Sequence, residues 1–235
     1  MKHGIKSYFG GLGDTLQFST LPERFHELGC EIFLTDDAPF RSPTTKSLIW
    51  DLNPYIKGQA NVPWTLGDIP GRSYENKFDD FIKNWEYIHG LTPKNSFPKI
   101  YYTPDNNVAN VDVLVDIGSI TVQYDLQKVV NYIRSAHSNV KLIVNPHNKV
   151  PTFGFETIEI DTLTKYVDLI NCCKTFISLN SGPHMLAASI RHINQNFKQI
   201  CLMSSHVRGN TNESWYDYQM RTKFFVLPSV EYIRI

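Results

Sequence analysis

Apolar residues along this chain follow two alternating rhythms. Short β-rich runs alternate with stretches whose apolar residues fall three and four apart, which is the pattern of layered α/β folds. Residues 5–9 predict a first strand. Gly10, Gly11 and Gly13 follow it, and Leu12, Leu16, Leu21, Phe25 and Leu28 then keep one helical face until Gly29 ends it. Residues 31–34 predict a second strand and residues 35–43 a loop rich in Asp and Pro. Phe78, Phe81, Ile82, Trp85 and Ile88 line one face of an amphipathic helix that closes at Gly90 and Pro93. From there to Asn110 the sequence loosens into Pro, Asn and Asp.

After Asn110 the alternation restarts. Strands are predicted over 111–117, 140–145, 157–160, 175–179, 199–204 and 223–227. Helices are predicted over 125–135 and 163–173, and another opens near Pro183. Two domains follow, 1–108 and 109–235, each built on a parallel sheet. Ligands of open parallel sheets bind beyond the carboxyl ends of the strands, so the expected site is a cleft between the two halves.

Length and composition narrow the function classes. The chain has 235 residues, 42% of them apolar and 20% charged, which is globular and neither disordered nor collagen-like. Lys plus Arg equals Asp plus Glu at 23 each, so no global field gathers nucleic acid or anionic membrane. Charges and then glycines stand at the N-terminus where a signal peptide needs an apolar stretch, and no run approaches the length of a membrane span. Cys30, Cys172, Cys173 and Cys201 form no zinc-type spacing with one another or with histidine. The chain therefore reads as a soluble cytoplasmic protein with reduced thiols.

Two turns carry candidate chemistry. The first, Gly11-Leu12-Gly13-Asp14-Thr15, joins a strand to a helix, where glycines let backbone N–H groups approach a ligand and a helix N-terminus favours negative charge. Leu16 stands where a dinucleotide fingerprint needs a third glycine, and the Lys-Ser/Thr of a P-loop is missing. Asp14 is equally suited to cap the helix. The second turn, Asn180-Ser181-Gly182-Pro183-His184, also leads from a strand into a helix. Pro183 suits the first helical turn, and Asn180 or Ser181 suits the cap. The same geometry offers free amides to a phosphate, and His184 adds a donor whose charge changes near neutral pH. Gly118 and Ser119 end the first strand of the second half, and His147 and His206 follow later strands.

These stretches resemble the bacterial heptosyltransferases of glycosyltransferase family 9. The match lies in Gly13-Asp14-Thr15-Leu16 with Thr20-Leu21-Pro22, in Asn53-Pro54-Tyr55-Ile56, in the helix around Trp85 with Gly90-Leu91-Thr92-Pro93, and in the segment 163–191. The resemblance implies a GT-B-like α/β fold of two facing Rossmann-like domains, the first on the acceptor side and the second binding the nucleotide sugar. It implies a metal-independent hexosyl- or heptosyltransferase without a cofactor beyond its nucleotide-diphosphate sugar donor. Asp14 would be the catalytic base. Gly118, Ser119, Asn180, Ser181, Gly182, Pro183, His184 and His206 would hold the donor, and Gly11, Leu12, Gly13 and Thr15 would form an acceptor or phosphate loop.

The departures from the family pattern are specific. Asn180 stands where the family has an acid, and His184 comes one residue early because Met185 precedes Leu186-Ala187-Ala188. No basic residue appears in 118–123. The chain is also shorter than typical members. The expected acceptor is a surface glycan or lipopolysaccharide core. The alternatives are a hydroxylated base in DNA, with Arg191, Lys198, Arg208 and Arg221 as a basic rim, and a nucleotide-sugar-binding protein whose catalysis has lapsed.

Overall fold

The computed structural model describes residues 1–70, 74–108, 111–145 and 150–235. The chain divides into two compact units, Met1–Thr103 and Pro104–Ile235.

The first unit is built on four parallel strands: β1 (Lys2–Lys6), β2 (Glu31–Thr35), β3 (Ile56–Ala60) and β4 (Trp64–Gly67), in the spatial order β3-β2-β1-β4. The strand order reverses between β1 and β4. The long helix expected after β1 is two helices, α1 (Leu12–Leu16) and α2 (Leu21–Glu27). Pro22 stands in the first turn of α2, where its missing N–H costs nothing but where an unbroken helix would need that donor. The break between them is useful, because the buried Ser19 hydroxyl donates to the Leu16 carbonyl at 2.7 Å and accepts the Lys99 N–H at 2.8 Å. That contact ties the returning segment to the helices.

A short helix α3 (Pro43–Lys46) runs on into a wider π-type turn at Ser47–Asp51. The amphipathic helix α4 (Phe81–Ile88) is capped by Asp80, whose carboxylate accepts from the N–H groups of Ile82 and Lys83. Gly90, at φ +78°, closes it. Phe18 packs edge-on against Trp85 with ring centroids 4.8 Å apart, and with Leu16, Leu21, Ile32 and Phe81 they form the buried core.

The second unit carries six parallel strands: β5 (Val111–Asp116), β6 (Val140–Val144), β7 (Glu156–Glu159), β8 (Cys173–Leu179), β9 (Lys198–Met203) and β10 (Glu231–Arg234). Their order is β10-β9-β8-β5-β6-β7, which is the doubly wound arrangement with its reversal between β5 and β8. Helix α5 (Leu126–Ala136) lays Val129, Val130 and Ile133 on one face, against Val115, Ile177 and Leu202. Helix α6 (Leu163–Asn171) packs on β5 and β8 through Tyr166, whose ring meets Phe176 with centroids 6.2 Å apart. The helix α7 (Gly182–Ser189) follows β8, and α8 (Trp215–Thr222) precedes β10.

Three further expectations from the sequence are corrected. β1 begins at Lys2, and Tyr8 and Phe9 lie beyond it with their rings exposed. Residues 223–227 are not a strand, because Lys223 and Phe225 have φ of +58° and turn the chain out of extended geometry. Cys173 opens β8 instead of closing a helix. The strands β3 and β4 and the helix α8 carry too few buried apolar residues to stand out in the pattern.

Candidate functional site

Each unit presents a turn at the carboxyl end of its sheet where the strand order reverses, which is where open α/β sheets bind ligands. In the first unit this turn is the loop from Ser7 to Gly11, which leads from β1 into α1. Gly11 is the N-cap of α1 and carries no capping side chain. Asp14, at the third helical position, reaches back to the Gly11 N–H, the half of a capping box that an acid at that position performs. A Cβ on Gly11 would lie 2.5 Å from Asp14 Oδ2, so glycine here leaves room for the carboxylate. Burial pushes the Asp14 carboxyl above its ordinary range, while the Arg41 guanidinium and the Gly11 N–H pull it down. Capping and an elevated proton affinity thus coexist in one residue.

The neighbours of Asp14 behave differently from expectation. Thr15 is fully buried, and its hydroxyl donates to the Gly11 carbonyl at 2.7 Å. It braces the turn and offers nothing to a ligand. Gly11 and Gly13 are buried as well, while Leu12 is half-buried.

In the second unit, the loops after β5, β8 and β9 are tied together. Asp116, at the end of β5, is buried, and its carboxylate accepts from the Tyr166 hydroxyl at 2.6 Å and the Gly118 N–H at 2.7 Å. Burial pushes its carboxyl up, and those two hydrogen bonds oppose the shift. The Ser181 hydroxyl donates to the Gly118 carbonyl at 3.2 Å, which brings the turn after β5 beside the turn after β8. The Tyr124 hydroxyl donates to the Leu202 carbonyl and accepts the Asn180 N–H, both at 3.2 Å. Ser204 Oγ donates to the Gln123 carbonyl at 2.7 Å. The Ser119 hydroxyl closes a local turn onto Val122.

These bonds leave the entrance of α7 open. Ser181 is its N-cap, but its side chain makes no capping bond because it is turned toward Gly118 and Leu179. Pro183 lies in the first turn, as expected. Asn180 is only 4% exposed, yet both Oδ1 and Nδ2 of its amide lack a hydrogen-bond partner. A buried amide left with neither bond costs about 1–3 kcal/mol per group, so the turn is built with polar capacity in reserve.

The His184 side chain does not belong to this opening. It is fully buried, with Nε2 3.1 Å from the Phe225 carbonyl and Nδ1 3.0 Å from Gln199 Nε2. The ring is therefore the Nε2–H tautomer, donating to Phe225 and accepting from Gln199. It is a core histidine, withdrawn from the donor-binding set. His206 is exposed on the loop after β9, its N–H donating to Ser204 Oγ at 3.1 Å. His147 lies outside the described residues.

The four basic residues considered for a DNA rim are engaged within the second unit. Arg221 forms a forked pair with Glu213 at 2.8 and 2.9 Å, and Lys198 pairs with Glu231 at 2.6 Å. Arg191 donates to the Ser229 carbonyl, and Arg208 lies over the Tyr218 ring at 4.0 Å. Among the described residues, no group of three His, Cys, Asp or Glu side chains comes together as a metal site, and no helix is long and apolar enough to cross a membrane.

No protein-family model matches the chain, and no curated protein matches it. Solved structures do. The bacterial iron-containing dodecameric glycosyltransferase TibC from enterotoxigenic E. coli H10407 is 20% identical over 91% of this chain and 62% of its own, with a TM-score of 0.58. The glycosyl transferase family 9 protein from Veillonella parvula DSM 2008 is 12% identical over all of this chain and 84% of its own, at 0.62. E. coli ADP-heptose lipopolysaccharide heptosyltransferase II is 9% identical over all of this chain and 91% of its own, at 0.61. This chain spans less than two thirds of the length of TibC. At these identities the likeness is one of fold: two parallel sheets with helices, as in heptosyltransferase structures. The family resembled in sequence is the one whose fold the chain has.

The buried His184 makes a prediction about acid stability. Burial lowers its pKa to about 4, against 6.5 for a free histidine, with the Phe225 hydrogen bond opposing. The folded state keeps the ring neutral while the unfolded state protonates it, so stability is lost as pH falls from about 6.5 to about 4. At about 1.4 kcal/mol per pKa unit the loss is about 3 kcal/mol. Urea unfolding at pH 7 and pH 4 should show that His184→Gln loses about 3 kcal/mol less than the wild type over this interval. Identical pH dependence in the two proteins would mean that the ring is not held neutral.

Proposed function

We propose that the chain is a nucleotide-sugar-dependent glycosyltransferase. Its second unit would hold the donor diphosphate at the entrance of α7, and its first unit would supply Asp14 as the base. The observation that carries this reading is the open α7 entrance beside a buried Asn180 amide with no partner, at the strand-order reversal of a doubly wound sheet. The fold shared with heptosyltransferase structures supports it.

In the mechanism, the N–H groups of the first turn of α7 and the Asn180 amide meet the diphosphate and stabilise the charge that develops as it departs, the electrostatic contribution that is often largest. Gly182 keeps that turn free of side-chain bulk. Asn180 is neutral where the resembled family has an acid, and its Nδ2 is a donor suited to a phosphate oxygen. Asp14 takes the proton of the attacking acceptor hydroxyl, a role worth roughly 10² to 10⁴ in rate. Its burial serves that role, since a carboxylate with raised proton affinity is a better base.

The acceptor we propose is a surface glycan or lipopolysaccharide core. The net charge of zero and the internal engagement of Arg191, Lys198, Arg208 and Arg221 favour it over DNA. Transfer is proposed to be metal-independent and cytoplasmic.

A nucleoside diphosphate or its sugar should raise the melting temperature in proportion to ln(1 + [L]/Kd). Gly182→Val should abolish that rise while folding normally; an unchanged ligand response would make the turn merely structural. EDTA should leave transfer intact, and activity that disappeared with the chelator and returned with magnesium or iron would overturn metal independence.

Asp14→Asn keeps an oxygen for the Gly11 N–H, so its stability should be nearly retained while kcat falls by roughly 10² to 10⁴ at unchanged donor affinity. The pH profile of kcat in the wild type should have its acidic limb above the ordinary aspartate range, because Asp14 must be ionised to accept the proton. Full transfer by Asp14→Asn would remove the base. Unimpaired donor binding without transfer by the wild type on any acceptor would favour the lapsed binder.

Transfer to a glycan should change little between roughly 50 and 200 mM salt, whereas a DNA substrate with several phosphate contacts would lose affinity by orders of magnitude. Steep salt dependence on duplex DNA, with no glycan activity, would reverse the choice of acceptor.

A further inference from the structure

The reversal of strand order in the first unit is flanked by two carboxyl groups, and Asp14 is only one of them. The second is Asp68, which follows β4. Strand β4 pairs with β1 through Ile5↔Leu66 and Lys6↔Gly67. Gly67 has φ +98°, and a Cβ there would collide with the Lys6 carbonyl, so this approach of β4 to β1 requires glycine. The junction is braced from behind by the buried His89, whose Nε2 accepts the Gly67 N–H at 3.1 Å while Nδ1 lies 2.8 Å from the Trp85 carbonyl. That pair of contacts fixes the ring as the Nδ1–H tautomer.

The consequence falls on Asp68. Its Oδ2 accepts the Tyr8 N–H at 2.8 Å and lies 3.4 Å from Ser7 Oγ. Ser7 and Tyr8 begin the loop that ends at α1 and Asp14. The same loop is held on its other side at Gly10, which has φ +62°; the Arg41 N–H donates to the Gly10 carbonyl at 3.0 Å, and a Cβ on Gly10 would collide with the Pro39 carbonyl. A five-residue loop is thus pinned at its start by one carboxylate and near its end by the backbone of residues 39–41. The exposed rings of Tyr8 and Phe9 meet edge to face at 5.1 Å on the stretch between those anchors.

We propose that Asp68 is a positioning residue for Asp14: by holding the Ser7–Tyr8 backbone it sets where the loop delivers the base, and the two carboxyl groups share the carboxyl ends of β1 and β4. This deepens the reading of Asp14 as the base and rests on it for its catalytic meaning. The electrostatics agree. Burial pushes Asp68 up, the Tyr8 N–H draws it down, the Asp14 charge pushes it further up, and the Ser7 hydroxyl opposes. Arg41 is the cation facing Asp14, while Lys6, the other cation at this end of β1, is paired with Asp37.

The test uses the full chain without any donor, so that its outcome stands apart from the assignment of transfer activity. Amide exchange at Tyr8 should accelerate by about tenfold in Asp68→Ala, the loss of one hydrogen bond. It should stay near wild type in Asp68→Asn, whose amide oxygen still accepts. In parallel, the carboxyl-carbon titration of Asp68 should move to lower pH in Asp14→Asn, because the neighbouring negative charge is gone. If transfer is measurable, Asp68→Ala should lower kcat at unchanged donor affinity, and Asp68→Asn should restore most of it.

Unchanged Tyr8 exchange in folded Asp68→Ala, or Asp68→Asn behaving like the alanine variant, would overturn the proposal. Should Asp68→Ala not fold, the Asp68 titration decides: a midpoint indifferent to Asp14→Asn means the two groups do not share a site, and the proposal fails. An intact Asp14–Asp68 coupling in a protein that transfers no sugar would instead fault the proposed function and leave the positioning role standing.

Discussion

A parallel sheet whose strand order reverses leaves two neighbouring strands with loops that depart in opposite directions, and the backbone between them is then open to a ligand. Both units of this chain are subject to that constraint. In the first, the reversal lies between β1 and β4; in the second, between β5 and β8. Polar groups withdrawn from water stand at both places: Asp14 and Asp68 at one, Asp116, Gly118, Asn180 and Ser181 at the other. The helices and their apolar faces serve chiefly to keep the strands in register so that these loops start from fixed points.

Burial is the physical agent that differentiates these groups. It raises Asp14, Asp68 and Asp116 and lowers His184, because in each case removal from water penalises the charged form. Hydrogen bonding then separates their roles. Asp116 is bonded on both oxygens and His184 on both ring nitrogens, so they hold neighbouring segments together. Asp14 remains half-buried with a single backbone partner and a nearby guanidinium, which leaves it capacity for a reacting proton. Asn180 is the converse case, a buried amide with both ends unbonded in a turn otherwise knit together by Tyr124 and Ser181.

Much of the second unit was legible in the sequence, because strands covered on both faces read as apolar runs such as Val113-Leu114-Val115 and Phe176-Ile177. The first unit was less so. Strand β3, Ile-Lys-Gly-Gln-Ala, is mostly exposed, and β4 has four residues, so neither supports a periodicity. The turn chemistry around Asp14 and around 180–183 was visible in residue type and spacing. The inward turn of His184 was not, since its partners Gln199 and Phe225 are distant in sequence. Asp68 left no trace at all: its contact with Tyr8 spans sixty positions and depends on the fit of Gly67 against Lys6, which only the folded backbone reveals.

We propose the α7 entrance as a diphosphate site completed by Asn180. A crystal structure of the chain with a nucleoside diphosphate tests it most directly. Phosphate oxygens are expected within hydrogen-bond distance of the Gly182 and His184 backbone N–H groups and of Asn180 Nδ2, with the Asp116–Gly118 and Ser181–Gly118 contacts unchanged. A nucleotide bound elsewhere, with the α7 entrance empty and the Asn180 amide still unbonded, would contradict it.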